Sequence, residues 1–242
     1  KSNIFTFQVQ DNGGTASGGQ DTDATARNMS INLAPVNSSA VGGDNTKAIR
    51  EDTVYAFAAA DFNVSDPAEQ ATGQANNLLS VIVSTLPAKG TLTFAGNPVA
   101  AGLEIPVGQI GQLRYTPVAN ASGTGYTSFT FAVKDDGGTA NGGVDADPTP
   151  NVFAFDVLAV NDAPAGTSKN LTVTQGSSFT FTPSDFGFTD PSDSGANSLS
   201  SVRLTNTGVG TLTLNGAAYT NNTAVSFTDL NTGKLVFTPS GT

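Results

Sequence analysis

Apolar residues in this chain alternate with polar ones at a period of two. Phe129, Phe131 and Val133 fall on one side of an extended backbone, and Thr130, Ala132 and Lys134 on the other. Phe153, Phe155 and Val157 repeat the pattern, as do Leu92 with Phe94, Leu113 with Tyr115, and Phe179 with Phe181. This period, built from aromatic and β-branched residues, marks half-buried strands. Gly-, Asn- and Pro-rich turns separate the runs, and no stretch sustains a 3.6-residue period. The pattern predicts strands near 41–49, 53–59, 78–85, 90–95, 111–116, 126–134 and 151–160. About seven short strands in ~120 residues predict an all-β fold, an antiparallel sandwich of immunoglobulin-like type with the Phe stripes as its core.

The same pattern occurs more than once. Residues 5–19 read FTFQVQDNGGTASGG and residues 129–143 read FTFAVKDDGGTANGG, an offset of 124. The offset continues through Asn37/Asn161, Phe57/Phe181, Asp61/Asp185 and Asp66/Asp190. Short deletions shift it to 120 where GTLTF (90–94) matches GTLTL (210–214), and it returns to 122 where LRYTP (113–117) matches LVFTP (235–239). A fixed long period is the signature of tandem units. The 242 residues divide into 1–37, the last two strands (F and G) of one unit; 38–162, a complete unit; and 163–242, the first strands (A to E) of another.

Composition narrows the chemistry. The chain has no Cys, no His and no Trp. Disulfides, thiolate or imidazole metal sites, and His-based acid–base pairs are therefore excluded. A formal net charge of −10 leaves no basic surface for nucleic acid. No apolar run approaches the ~20 residues that span a bilayer, so no membrane insertion is expected. Of the 20 acidic residues, 17 are Asp and only Glu51, Glu69 and Glu104 are Glu. Such an excess of Asp belongs to turns, caps and hard-cation sites rather than to helix surfaces.

The linker and its flanks carry a resemblance. Val160-Asn161-Asp162-Ala163-Pro164, Glu51-Asp52-Thr53, the run from Asp61 to Pro67 (DFNVSDP), GTLTF, and Tyr115-Thr116-Pro117 with Asn120, Gly123, Tyr126, Phe129 and Phe131 are similar to the tandem cadherin-like repeats of giant bacterial surface adhesins. The similarity extends over the whole chain. It implies secreted, extended, calcium-stiffened arrays at the bacterial cell surface, often exported by a type I system and associated with adhesion and biofilms. Similar modules have also been linked to carbohydrate binding, with polysaccharide as a partner.

The Asp residues suggest where a cation would sit. Calcium takes several carboxylates and carbonyls at 2.3–2.6 Å, and Asp on tight loops supplies them. In a sandwich with strands A to G in order, the B–C and F–G loops share one end with the entry linker. Asp61 and Asp66 are thus expected near Asp135, Asp136, Asp145 and Asp147. At the other end, Glu51 and Asp52 are expected near Asn161 and Asp162, facing Asp185, Asp190 and Asp193 of the next unit. Two departures matter. Ser38 stands where the second linker has Asp162, and Gln175-Gly176 stands where the middle unit has Glu51-Asp52. The 37–40 junction is expected to hold a cation weakly or not at all.

Loop carboxylates without a cleft do not make a hydrolase, so no enzyme is expected. The absence of Trp weakens a carbohydrate-stacking platform, for which Tyr126 or Tyr219 could serve. The frame of the repeat adds an expectation. Strands F and G at one end and strands A to E at the other together make one sandwich, which predicts a head-to-tail homo-oligomer, a filament or matrix subunit formed by strand complementation.

Overall fold

The computed structural model describes residues 2–240 apart from Thr72, Gln74, 194–196 and Thr207. Its strands are β1 (Ser2–Phe7) and β2 (Arg27–Asn32), then β3 (Asn45–Arg50), β4 (Tyr55–Ala56), β5 (Leu78–Val83), β6 (Thr91–Phe94), β7 (Asn97–Pro98), β8 (Glu104–Pro106), β9 (Leu113–Thr116), β10 (Gly123–Asp135) and β11 (Asn151–Leu158). They continue with β12 (Phe179–Thr180), β13 (Ser201–Arg203), β14 (Thr211–Leu214), β15 (Ala217–Ala218), β16 (Ala224–Ser226) and β17 (Leu235–Thr238). Helices among the described residues are short, including α1 (Pro67–Gln70), α2 (Phe227–Asn231) and a six-residue 3-10 helix at Val107–Gln112.

The middle of the chain is a two-sheet sandwich. One sheet runs β3-β11-β10-β5-β8 and the other β4-β9-β6-β7. All pairings are antiparallel except β3 with β11, where the first strand lies parallel to the last. The alternation explains the packing. Phe129, Phe131, Phe153 and Phe155 point inward from neighbouring strands and are fully buried, and Phe57 and Tyr115 meet them from the opposite sheet. Tyr115 stacks on Phe155 at 4.1 Å, and Phe57 makes edge contacts with Phe129 and Phe153 at 5.8 and 5.1 Å. Such a ring cluster adds edge and offset-stacking energy to plain burial. Burial also pushes the Tyr115 phenol up to about 12, with Tyr126 adding to the effect.

Two short strands were not anticipated. β7 follows the left-handed pair Ala95-Gly96 (φ 49° and 82°), a tight turn that returns the chain onto β6. β8 is only three residues long, too short to show alternation.

The flanking segments repeat parts of this sandwich. β1 pairs with β2 in the register of β10 with β11: Phe5 faces Met29 as Phe129 faces Phe153. The loops match as well, with Ser17 (φ 56°) and Asn141 (φ 57°) both left-handed. Beyond the second linker, β12-β17-β14-β15 repeats β4-β9-β6-β7, and β13-β16 repeats β5-β8. Val202 pairs with Val225 as Val81 pairs with Ile105. This segment has a smaller core around Leu212, Val225, Leu230 and Leu235.

Candidate cation-binding junctions

The end of the middle sandwich nearest the first linker is built on Asn37. Its side-chain amide donates to Asp135 Oδ1 at 2.9 Å and to the Val144 carbonyl at 2.7 Å, and its own carbonyl accepts from Val144 N–H at 2.9 Å. Gly137 makes room for it, since a Cβ there would overlap Asn37 Oδ1. Asp135 is fully buried and also accepts from the N–H groups of Ala40 and Gly137. Asp136 accepts from Asn77 N–H at 2.8 Å, and this bond together with the Asn77 side chain holds its carboxyl below the usual range. Asp147 accepts from Gly42 N–H and from the Asn151 amide, each at 2.9 Å. Asp66 caps α1 and accepts from Asn76 N–H at 2.7 Å. Burial works against its charge, but the bonds from Asn76 and Glu69 prevail and lower its pKa. Asp145 lies 3.6 Å from the Lys134 ammonium. These carboxylates face backbone N–H groups, Asn amides and one lysine, an arrangement that serves loop closure.

Asp61 and Asp185 bond within their own turns and to lysines, and among the described residues no hydrogen bond or ion pair of their carboxylates reaches either junction. Asp61 caps a 3-10 turn, accepts from Tyr55 and from Ala58 N–H, and pairs with Lys47 at 2.9 Å. Despite burial, those bonds hold its pKa down. Asp185 does the same in the next repeat, with Lys169 at 2.6 Å. Nothing in the alternation of 41–49 pointed to Lys47 as the partner of Asp61, because the pairing crosses from the first strand to the second loop.

The second junction is different. Glu51 is buried, and its Oε1 accepts from Val160 N–H at 2.6 Å. Asp52 holds a left-handed turn (φ 57°) and accepts from Asn120 N–H at 3.0 Å. The Asn120 amide, oriented to satisfy its neighbours, donates to Asp52 Oδ2 and Asp162 Oδ2 at 3.2 Å and accepts from Ser192 at 3.1 Å. Asp162 N–H donates to Asp193 Oδ1 at 2.9 Å. Asn197 donates to Asn161, Asp190 and Asp193. The middle repeat's end, the linker and the next repeat's beginning are therefore joined through one set of carboxylates and three asparagines. Among the described residues no lysine or arginine is paired to this set. Desolvation, followed by the charges of Asp52, Asp193, Glu51 and Asp190, pushes the Asp162 carboxyl above its ordinary value. Asp190 Oδ1 is buried without a hydrogen-bond partner. Among the described residues no three carboxylates already form a ligand set close enough for a metal ion. The donors are all hard oxygen and their charges are unrelieved, which fits calcium in chemistry, with closure left to the cation itself.

Asn120 carries part of the family resemblance but was not assigned to the cation site from sequence, and only the repeat match to Asn76 marks Asn197. Tyr126, a candidate sugar platform, is buried, with the Lys89 ammonium 4.9 Å from its ring centre, so it offers no stacking face. Tyr219 is half-buried and bonded to Leu204 and Thr223. No protein-family model matches this sequence, and no curated protein matches it at a significant level.

Proposed function

We propose that this chain is a non-catalytic, extracellular spacer of a bacterial surface adhesin, in which calcium stiffens the junction between successive β-sandwich repeats. The observation that carries this reading is the second junction: the linker residue Asp162 bonds through its N–H to Asp193 of the next repeat and shares the Asn120 amide with Asp52 of the repeat before it, and desolvation, followed by four neighbouring carboxylates, raises its pKa. A divalent cation bound by Asp52, Asp162, Asp190 and Asp193 would replace that repulsion with attraction and fix one repeat against the next. Glu51 already anchors Val160 and positions the linker. The first junction, with Ser38 in place of Asp and its carboxylates already satisfied, serves as a cation-independent joint.

Thermal unfolding and small-angle scattering in millimolar calcium and in chelator test the reading. Extracellular modules bind calcium at ~10⁻⁴–10⁻³ M. An excess of ten- to a hundredfold over Kd adds about 1–3 kcal/mol, and the scattering profile should become longer and stiffer. Identical melting curves and identical profiles in the two buffers would remove calcium from the proposal.

A further inference from the structure

The β1–β2 hairpin has lost nothing of its local form, yet its apolar face is bare. Phe5, Phe7, Met29 and Ile31 are all 40–52 % exposed, while their counterparts Phe129, Phe131, Phe153 and Phe155 are buried. The complementary deficit lies at the other end of the chain. Among the described residues β13 has a partner on one side only, β16, whereas its counterpart β5 pairs with both β8 and β10. Residues 169–174 match β3 in the repeat but form no strand. The reason is visible in the middle sandwich. Among the described residues β3 is an edge strand whose only partner is β11, and no β11 counterpart lies beside 169–174. Phe181 and Phe186 are only half-buried, where Phe57 and Phe62 are buried.

We propose that the hairpin of one molecule docks into the open sandwich of a second copy of this chain, taking the places that β10 and β11 occupy in the middle sandwich. The internal repeat supplies the fit. Carrying over the β10–β5 and β11–β3 registers pairs Phe7 with Leu204, Val9 with Val202, and Ile31 with Leu171. A second, independent feature is a vacant asparagine seat. Asp11 and Gly13 match Asp135 and Gly137, which hold Asn37, but among the described residues the Asp11 carboxylate accepts only from Gly13 N–H, at 2.8 Å. The repeat match of Asn37 is Asn161. Docking brings Asn161 of the second copy into that seat, its amide on Asp11 and on the Gln20 carbonyl. The join is heterologous and leaves a free hairpin at one end and an open sandwich at the other, so it propagates. Strands preceding the hairpin in a longer polypeptide would compete for the same face.

Sedimentation analysis of the 242-residue chain across concentration, with melting curves of each variant, is the test. The parent should assemble into species at multiples of its own mass. Ile31→Asp charges the apolar face, and Gly13→Val fills the seat. Both positions are exposed in the single molecule, so the melting of the two sandwiches should hold while assembly is lost. Fusing residues 38–124 ahead of the chain supplies strands A to E in cis and should also abolish assembly. A parent that stays monomeric up to ~1 mM, assembly that survives either variant, or assembly that survives the fusion would overturn the proposal.

Discussion

Two hairpins in this protein share sequence, register and loop conformation and differ in what surrounds them. In β10–β11, Phe129, Phe131 and Val133 are at most 1 % exposed; in β1–β2, Phe5, Phe7 and Val9 are 40–59 % exposed. The loops between the strands are the same to within a degree or two at Ser17 and Asn141. Local form is thus fixed by local residues: the Gly-Gly turn, the left-handed position in the loop, and cross-strand pairing. Stability comes from the strands against which the hairpin lies.

The sharpest way to break the comparison is to truncate the same ring in both places. Phe131→Ala removes a fully buried ring that packs on Phe62 at 4.8 Å. It should cost about 3–5 kcal/mol, seen as an earlier thermal transition of the middle sandwich. Phe7→Ala, measured on the dilute single molecule, should leave that transition where it was. Equal losses would mean that the hairpin is buried in solution in the single molecule.

The next effect is polar. Asp135→Ala orphans the buried donor of Ala40, takes the acceptor from the exposed Gly137 N–H and frees Asn37. The cost is on the order of 1–3 kcal/mol for each donor that stays buried. Asp11→Ala removes one bond in an exposed loop and should change the melting of the single molecule by less than about 0.5 kcal/mol. Denaturant titration of the two variants measures both. A large effect at Asp11 in the single molecule would show that its seat is already filled.

How much of this was legible beforehand follows from the same contrast. Alternation marked β5, β6, β9, β10 and β11 because each presents one face to a core and the other to water. It could not mark β7 or β8, whose two and three residues hold less than two periods. The repeat showed that the ends are parts of a sandwich, because identity of pattern survives loss of the partner strands. The site was legible by half. Clustering of Asp at loop ends was plain in the sequence, but which Asp faces an N–H and which faces another carboxylate depends on partners far along the chain. Asp61 finds Lys47 and Asp185 finds Lys169, whereas Asp162 finds Asp193 through its backbone and three further carboxylates through space. Asn120, which bridges Asp52 to Asp162, sits in a turn with φ 54°, and nothing in its neighbourhood announces that it will face a linker 40 residues on.

The smallest effect separates the two junctions by acid. Asp66 and Asp136 have lowered folded-state pKa values, so their contribution is present above the unfolded value of about 4 and is lost as pH falls below it. Asp162 has the opposite sign. Its folded pKa is raised, so at neutral pH the ionised carboxylate weakens the second junction, and the penalty fades as pH falls through the raised value. In chelator, lowering the pH from 7 toward 4 should therefore slow hydrogen exchange at Val160 and Asp162, whose N–H groups bond to Glu51 and Asp193. Exchange at Asn76 and Asn77, whose N–H groups bond to Asp66 and Asp136, compared at matched intrinsic rates, should stay level until pH drops below about 4 and then quicken. Asp162→Asn removes the repulsion without acid. It should slow exchange at Val160 in chelator and abolish any calcium-induced slowing, because the cation loses the carboxylate at the centre of the set. If Asp162→Asn instead quickens exchange in chelator, the linker aspartate is acting as a hydrogen-bond acceptor for Asn120 and its charge is not the quantity that sets the junction.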